Sequence, residues 1–111
     1  MISGIGTDLV DIRRIEKLYK KFGSKFAEKI LTKNELKKFK EIDYLAKRFA
    51  AKEAIAKALG TGIGKVKFHD IEISNNKAGK PIVKIKNCKT QVHLSIADEP
   101  PYALAFAVAV G

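Results

Sequence analysis

The sequence predicts an α+β domain whose helices come before a mainly antiparallel sheet. In the first half of the chain, apolar residues recur at helical spacing from Ile12 onward. In the second half, from Lys67 onward, polar and apolar residues alternate as they do in half-buried strands. Helices followed by strands are typical of α+β folds, and a chain of 111 residues suits one core. We therefore expect a single domain that spans residues 1–111.

The first predicted elements are a strand and two helices. Residues 2–7 suit a short strand, so Asp8 is expected just beyond its end. Asp11 can cap a first helix that Gly23 ends, and Ser24 can cap a short second helix. The apolar positions that define the first helix are Ile12, Ile15, Leu18, Tyr19 and Phe22.

Two more helices are predicted before the pattern changes. Residues 32–35, Thr-Lys-Asn-Glu, form a capping box, and we expect the third helix to run to about Lys40. Asp43 can cap a fourth helix, whose alanines carry it to about Leu59. Gly60 then suits the left-handed position that often follows a helix end.

The rest of the chain predicts four strands. The turn between the first two is residues 75–79, and Pro100-Pro101 is expected to end the pairing at the last connection. The last strand is apolar on both faces, so helices or another subunit must cover both, which favours an oligomer. The four segments are residues 67–74, 80–86, 91–98 and 102–110.

The charge balance favours negatively charged partners. Lysine and arginine total 22 against 12 aspartate and glutamate residues, which gives a formal net charge of +10. Nucleic acid, an acidic protein or a phosphorylated small molecule would suit this charge, although it can also serve only to solvate the surface. No apolar run approaches the ~20 residues of a membrane span, and no secretory signal is visible, so we expect a cytoplasmic protein. Cys88 is the only cysteine, which excludes an intrachain disulfide.

The segment 48–64 carries the first chemical signal. Glu53 and Lys57 lie four residues apart, on one face of the predicted fourth helix. The helix runs into glycines that can present backbone N–H groups to an anion. A surface ion pair between Glu53 and Lys57 is the alternative interpretation, and helix ends also look like this glycine turn. The small residues that would let a backbone or a ligand approach this helix are Ala50, Ala51, Ala54, Ala56 and Ala58.

Asp8 is the second signal. Asp8 and Glu53 could together form a hard oxygen site, because Mg²⁺ takes one or two carboxylates together with phosphates and water. Lys57, one turn from Glu53, would suit charge on a transferring phosphoryl group. A helix cap is the alternative role for Asp8. The two histidines, His69 and His93, show no metal-ligand spacing with Cys88, and we expect His69 to be structural.

Five segments of the chain form a recognisable series. They are GIGTDLVDIRRI at residues 4–15, FAEKILTKNE at 26–35, RFAAKEAIAKALGTGI at 48–63, DIEISNNKAGKP at 70–81 and HLSIADEPPYALAFAV at 93–108. In this order they resemble the holo-[acyl-carrier-protein] synthases, the short group of the 4′-phosphopantetheinyl transferase superfamily. The resemblance covers essentially the whole chain, and its first and third segments are the most specific.

The resemblance implies a transferase of fatty acid biosynthesis. Such enzymes move 4′-phosphopantetheine from coenzyme A to a serine of an acidic apo-acyl carrier protein, with Mg²⁺, or Mn²⁺ in its place, on the pyrophosphate. By position, Asp8 and Glu53 correspond to the metal carboxylates and Lys57 to the lysine near the phosphates. The resemblance also implies a homotrimer with its sites at subunit interfaces. The serine's proton acceptor stays open: Glu53 through a water, or a carboxylate of the carrier protein.

Further binding residues follow from the same resemblance. Residues 60–62, namely Gly60, Thr61 and Gly62, would lie along the coenzyme, and Arg14 would meet the carrier protein with help from Arg13 and Lys17. Ala97-Asp98 stands where many members have Ser-His, and Ala78 stands where the turn often carries a polar residue. The positions expected to line the nucleotide portion are Arg48, Lys80, Pro81 and His93.

Two other functions compete with this interpretation. A nucleic-acid-binding protein would use the basic charge, but the aromatic residues fall at apolar helix positions instead of forming a stacking platform on a sheet. A purely structural trimer subunit would explain the apolar last strand. Neither alternative explains Asp8 and Glu53, so we expect no nucleic acid and no membrane among the partners.

Overall fold

The chain forms a long strand, then four helices, then four strands, which confirms the predicted α+β class. The computed structural model describes residues 1–111. None of its helices combines the length and the apolar character needed to cross a membrane. The elements in order are β1 (Ile2–Asp11), α1 (Ile12–Phe22), α2 (Ser24–Ile30), α3 (Lys33–Leu36), α4 (Ile42–Ala58), a 3₁₀ helix (Phe68–Asp70), β2 (Ile71–Asn75), β3 (Pro81–Ile85), β4 (Gln91–Glu99) and β5 (Tyr102–Val110).

The strands form two antiparallel sheets. One has three strands in the order β1-β5-β4, and the other is the β2-β3 hairpin. The first strand was predicted to end at residue 7, which is wrong: β1 continues to Asp11, and Asp8 lies within it, opposite Ala105. Pairing with β5 extends the strand, and that partner lies at the other end of the chain. The second-half strands are close to prediction, except that residues 68–70 form a 3₁₀ helix before β2 begins.

Helix α4 packs directly on β1 and β5 because the residues between them are small. Strand β5 buries an alanine at every second position. In β1, a Cβ placed on Gly4 would lie 1.9 Å from the carbonyl oxygen of Ala58, and one placed on Gly6 would lie 2.1 Å from that of Ala54. Only glycine lets the helix backbone come this close to the strand. The buried alanines of the contact are Ala50, Ala51, Ala54 and Ala58 in α4, and Ala103, Ala105, Ala107 and Ala109 in β5.

Two of the predicted helix caps are confirmed. The Asp11 carboxylate accepts a hydrogen bond from the backbone N–H of Arg13, and Gly23 ends α1. The capping box at the start of α3 is complete, since Thr32 accepts from the N–H of Glu35 and the Glu35 side chain accepts from the N–H of Thr32. Gly60 has a φ of 78°, the left-handed conformation expected after a helix end.

Three other predicted helix boundaries are wrong, whereas the predicted end of α4 at about Leu59 is confirmed, since Leu59 is the C-cap of that helix. Ser24 is the first residue of α2, and Gly23, which has no side chain, is the capping position. Helix α3 ends at Leu36, four residues before the predicted end, because turns take over at Lys37 and Lys38. Glu41 occupies the capping position of α4, so Asp43 lies in the first turn. There its negative charge still favours the positive end of the helix dipole.

The far side of the three-stranded sheet remains uncovered. Helix α4 covers one side, and large apolar side chains of β1 and β5 project from the other. We call this surface the open face; its residues are Ile5, Leu9, Leu104 and Phe106, with exposed fractions between 41% and 63%. The prediction that β5 is apolar on both faces is confirmed, and within one chain only one of those faces is covered.

Candidate active site

Asp8, Glu53 and Lys57 lie close together where α4 crosses β1. The ammonium Nζ of Lys57 donates a hydrogen bond to the carbonyl oxygen of Thr7 at 2.9 Å and to Oδ1 of Asp8 at 3.3 Å. The Glu53 carboxyl is close enough to Asp8 and Lys57 that both shift its pKa. The fold therefore brings Asp8 next to Glu53 and Lys57, which lie at least 45 positions later in the chain.

The glycines of β1 bring these groups into contact. Gly4, Gly6 and Asp8 alternate along β1 and so point to the same side of the sheet, toward α4. A Cβ on Gly6 would lie 2.9 Å from the Cβ of Lys57. Since glycine leaves that space open, the Lys57 side chain passes over Gly6 and reaches the first carboxylate of the strand beyond it.

The charges of this cluster are not balanced. Burial raises the pKa of Glu53, and the neighbouring Asp8 carboxylate raises it further, while Lys57 and Arg14 lower it in part. Lys57 forms its ion pair with Asp8 and not with Glu53. The interpretation of Glu53 and Lys57 as a simple surface ion pair is therefore wrong, because Lys57 turns toward the strand and Glu53 forms no ion pair.

Two carboxylates with surplus negative charge suit a divalent cation with oxygen ligands. No group of three or more His, Cys, Asp and Glu side chains in residues 1–111 could hold a metal ion. Asp8 and Glu53 alone would leave most positions on a Mg²⁺ ion for phosphate and water. The donor set therefore fits a metal that is completed by a substrate, and it does not fit an all-protein cage.

The glycine turn after α4 does not offer free N–H groups to an anion. The N–H groups of Thr61 and Gly62 both donate to the carbonyl oxygen of Ala56, and those of Gly60 and Gly64 donate to Lys57 and Val66. The idea of an anion cradle is therefore wrong, because the helix end uses these donors to satisfy its own carbonyls. What the turn does provide is space, since nothing lies within 4 Å of a Cβ built on Gly60 or Gly62.

A groove of about 640 Å³ lies elsewhere on the molecule. Pro81 lines it, and so does Arg48, whose guanidinium lies 4.5 Å from the centre of the Tyr44 ring and donates to Oδ1 of Asn75 at 3.2 Å. Asn75 in turn donates to the carbonyl oxygen of Gly79, which fixes the adjacent turn. The cationic side chains of the groove are Lys38, Lys40, Lys47 and Arg48.

The remaining predicted nucleotide residues lie outside the groove lining. Lys80 is exposed in the turn before β3. His93 is exposed on β4, opposite Val108 of β5. The residues that line the groove include none of the Asp8, Glu53 and Lys57 cluster. One chain thus holds its candidate site residues in separate places.

A buried charged network beneath the groove was not predicted. Lys52 is fully buried, and its Nζ donates to Oε1 of Glu35 at 2.6 Å and to the carbonyl oxygens of Ile30 and Phe68. Burial lowers the pKa of Lys52, and Glu35 partly opposes this shift. The burial of Lys52 could have been predicted from the sequence, because Lys52 belongs to a series of positions that are three, four and three residues apart and so lie on one face of the helix. Those positions are Leu45, Arg48, Lys52 and Ile55.

The basic residues of α1 differ in how free they are. Arg13 is exposed, yet its guanidinium is held by Asp11 through two hydrogen bonds of 3.0 and 2.7 Å. Lys17 is exposed and forms no ion pair. Arg14 lies 5.6 Å from the centre of the Phe49 ring and close enough to Glu53 to lower the pKa of that carboxyl. Helix α1 therefore places Arg14 beside Glu53.

Known proteins match the chain over nearly its whole length. The family model of the 4′-phosphopantetheinyl transferase superfamily matches residues 4–107. A holo-[acyl-carrier-protein] synthase of Ehrlichia chaffeensis is 50% identical, over 97% of this chain and 96% of that protein. The crystal structure of the Neisseria meningitidis holo-[acyl-carrier-protein] synthase has a TM-score of 0.93 at 48% identity and covers 100% of both chains. A Bacillus anthracis structure in complex with CoA (3′,5′-ADP) has a TM-score of 0.87 at 47% identity, over 98% of this chain and 96% of that one.

Proposed function

The chain belongs to the 4′-phosphopantetheinyl transferase superfamily, and on that premise we propose that its Asp8, Glu53 and Lys57 cluster carries out the reaction of the holo-[acyl-carrier-protein] synthases. It transfers 4′-phosphopantetheine from coenzyme A to a serine of apo-acyl carrier protein and releases adenosine 3′,5′-bisphosphate, which readies the carrier for fatty acid biosynthesis. The observation that carries the proposal is the convergence of two carboxylates and a lysine at the crossing of β1 and α4.

Asp8 and Glu53 are the residues that would hold Mg²⁺. The Asp8 carboxylate is one of the groups that raise the pKa of Glu53, and a divalent cation beside both would remove that repulsion. Mn²⁺ prefers the same oxygen ligands and could substitute. When bound, the cation would neutralise the pyrophosphate of coenzyme A.

Lys57 could stabilise the negative charge that develops on the transferring or leaving phosphate. The carrier serine attacks the β-phosphorus of coenzyme A in line with the leaving nucleotide. Lys57 uses two of its three N–H donors on Thr7 and Asp8, and its side chain is 53% exposed, so one donor stays available. Glu53 acting through a water, or a carboxylate of the carrier protein, would accept the serine proton.

The basic groove would take the nucleotide end of coenzyme A. Arg48 is already oriented there by Tyr44 and Asn75, so it loses little freedom on binding. Pro81 shapes the groove wall and Lys80 adds charge beside it. Gly60, Thr61 and Gly62 would give the coenzyme an unobstructed path beside α4.

A homotrimer would unite these separated parts. Since the groove and the Asp8 cluster share no residue in one chain, a coenzyme that contacts both would lie between two copies. The open face supplies an apolar surface for such an interface. His93 projects from the same three-stranded sheet and would be brought to the shared site by a neighbouring copy.

Helix α1 would receive the acidic carrier protein. Arg14 and Lys17 are available for docking, and Arg13 would assist after exchange with Asp11. Charge complementarity of this kind mainly raises the association rate. We expect 0.5 M salt, where the Debye length is roughly 4 Å, to weaken the apparent affinity for the carrier. An unchanged affinity at that ionic strength would remove the basis for this docking surface.

Mass spectrometry of the carrier protein tests the proposed site. Apo-acyl carrier protein incubated with the chain, coenzyme A and Mg²⁺ should gain the mass of one phosphopantetheine. The gain should disappear with Glu53→Gln or with a chelator, and it should survive Glu99→Gln, which changes the same charge on an exposed residue at the end of β4. Full activity of a well-folded Glu53→Gln variant would contradict the assignment of the site.

A further inference from the structure

One ion pair crosses the basic groove. Nζ of Lys47, on α4, lies 3.5 Å from Oδ1 of Asp98, near the end of β4, and the two side chains are 33% and 34% exposed. Both residues line the groove. Lys38 and Lys40 line the same groove and form no ion pair, so Asp98 pairs with only one of the three groove lysines.

A carboxylate at this position opposes the proposed role of the groove. Four cationic side chains and three carboxylates, Glu41, Asp43 and Asp98, line the groove, and Asp98 is the carboxylate that forms an ion pair with one of the groove lysines. Phosphate groups that enter the groove would meet the negative charge of Asp98. Asp98 also occupies one of the positions at which this chain departs from the pattern of many family members, which have Ser-His at residues 97 and 98. The departure therefore adds a negative charge to the groove where many members have a histidine.

We propose that Asp98 is a positioning residue that holds Lys47 away from the coenzyme's phosphates and thereby lowers the affinity of the groove for coenzyme A and for the released nucleotide. The proposal rests on the assignment of this groove to the nucleotide end. A partly exposed ion pair is weak, so Lys47 exchanges between Asp98 and a phosphate as ligands bind and leave. Weaker retention of adenosine 3′,5′-bisphosphate favours its release after transfer.

Asp98→Asn is the first test, and Glu99→Gln is its matched control. Both substitutions remove one negative charge from the same strand end, but Glu99 is exposed and has no ion-pair partner. Asp98→Asn should free Lys47 to bind phosphate. The KM for coenzyme A and the dissociation constant of adenosine 3′,5′-bisphosphate should then both fall by roughly two- to fivefold. The KM for the carrier protein should not move. Equal effects of the two substitutions would overturn the proposal.

A double-mutant cycle separates the action through Lys47 from direct repulsion by Asp98. In a Lys47→Gln background, Asp98→Asn should change the two constants no more than Glu99→Gln does. If Asp98→Asn tightens binding equally with and without Lys47, the carboxylate repels the phosphates directly and the positioning role is excluded. Thermal unfolding of each variant shows that the compared proteins are folded.

The same variants distinguish failure of this inference from failure of the groove assignment. Lys47→Gln alone should raise the KM for coenzyme A, because it removes a cation from the groove. If it does so while Asp98→Asn behaves like Glu99→Gln, only the inference about Asp98 is wrong. If Lys47→Gln has no effect on either constant, the nucleotide binds elsewhere, and both the groove assignment and this inference fall.

Discussion

At the scale of single residues, Glu53 is the most informative side chain. Its pKa is raised by burial first and by the Asp8 carboxylate second. Because an acid with a raised folded-state pKa resists ionisation, the folded chain loses stability as pH rises from the ordinary value of 4.5 through the raised one. Below pH 4.5, Glu53 is protonated in both the folded and the unfolded chain, and its unfavourable contribution to folding disappears. A cost in stability of this kind is common at active-site residues, which agrees with the role proposed for Glu53.

Glu53→Gln should therefore stabilise the chain and inactivate it. We expect the free energy of unfolding at neutral pH to rise by up to about 1 kcal/mol, since the group is partly exposed, and the gain to vanish as pH falls below 4.5. Transfer should drop by roughly a hundredfold or more. Thermal unfolding across pH and a turnover assay measure the two effects, with Glu99→Gln as control. A loss of stability at neutral pH would show that Glu53 is a structural residue.

At the scale of elements, the contact between β1 and α4 decides the site geometry. The helix backbone lies on Gly4 and Gly6, and the next inward-facing residue of the strand is Asp8. A larger residue at either glycine would push the helix outward. Lys57 would then lose its hold on Asp8 together with its hydrogen bond to Thr7.

Gly6→Ala should disrupt both packing and catalysis. The added Cβ would lie 2.1 Å from the carbonyl oxygen of Ala54, a backbone atom. Overpacking of this kind costs about 1–3 kcal/mol, and the displaced Lys57 should reduce turnover more than it changes the KM for coenzyme A. Ser3→Ala, at an exposed position of the same strand, is the control for both readouts. Chemical denaturation and steady-state kinetics measure the two effects. An unchanged free energy of unfolding and an unchanged turnover for Gly6→Ala would show that the contact between the helix and the strand tolerates the added methyl group.

The buried Lys52 ties several elements together. It joins α4 to Glu35 of α3, to the end of α2 and to the 3₁₀ helix. Lys52→Met would leave the Glu35 carboxylate buried without its closest cation, which costs roughly 3–5 kcal/mol. Adding Glu35→Gln removes that charge and should recover part of the loss, as urea denaturation would show. If the double variant is no more stable than Lys52→Met, packing and not charge explains the effect.

At the scale of the whole molecule, the open face supports the proposed oligomer. Large side chains of β1 and β5 lie exposed over a three-stranded sheet, which is unusual for a monomer. The groove and the Asp8 cluster are separate in the same chain. A neighbouring copy placed against the open face would cover its apolar side chains and could bring a groove next to the Asp8 cluster.

Phe106→Glu should separate the subunits. A charge in the middle of the open face would be buried without a partner in the assembly, so we expect monomers by light scattering coupled to size-exclusion chromatography. Transfer activity should fall with the trimer fraction. Ile82→Glu, which adds the same charge at an apolar position of β3 outside the open face, should leave both unchanged. A trimeric and active Phe106→Glu variant would place the interface elsewhere.

Several local features were predictable from the sequence alone. Asp11, the Thr32 and Glu35 capping box and Gly60 were predictable because caps depend on neighbours within four residues. The order of helices and strands was likewise readable from the spacing of apolar residues. The spacing of Glu53 and Lys57 and the motif around Asp8 also marked the candidate site, although not how its members would meet.

Tertiary structure alone decided the partners of these residues. The extent of β1 depends on β5, which lies at the other end of the chain and pairs with Asp8 through Ala105. Lys57 binds Asp8 in preference to its helix neighbour Glu53, and Lys52 is buried against Glu35, because packing brings distant residues closer than any local pattern predicts. The glycine turn satisfies its own helix end, because the N–H groups of Thr61 and Gly62 donate to the carbonyl oxygen of Ala56 and the N–H of Gly60 donates to that of Lys57. Contacts between distant segments fix which charges are paired and which stay free for chemistry, and no local pattern carries that information.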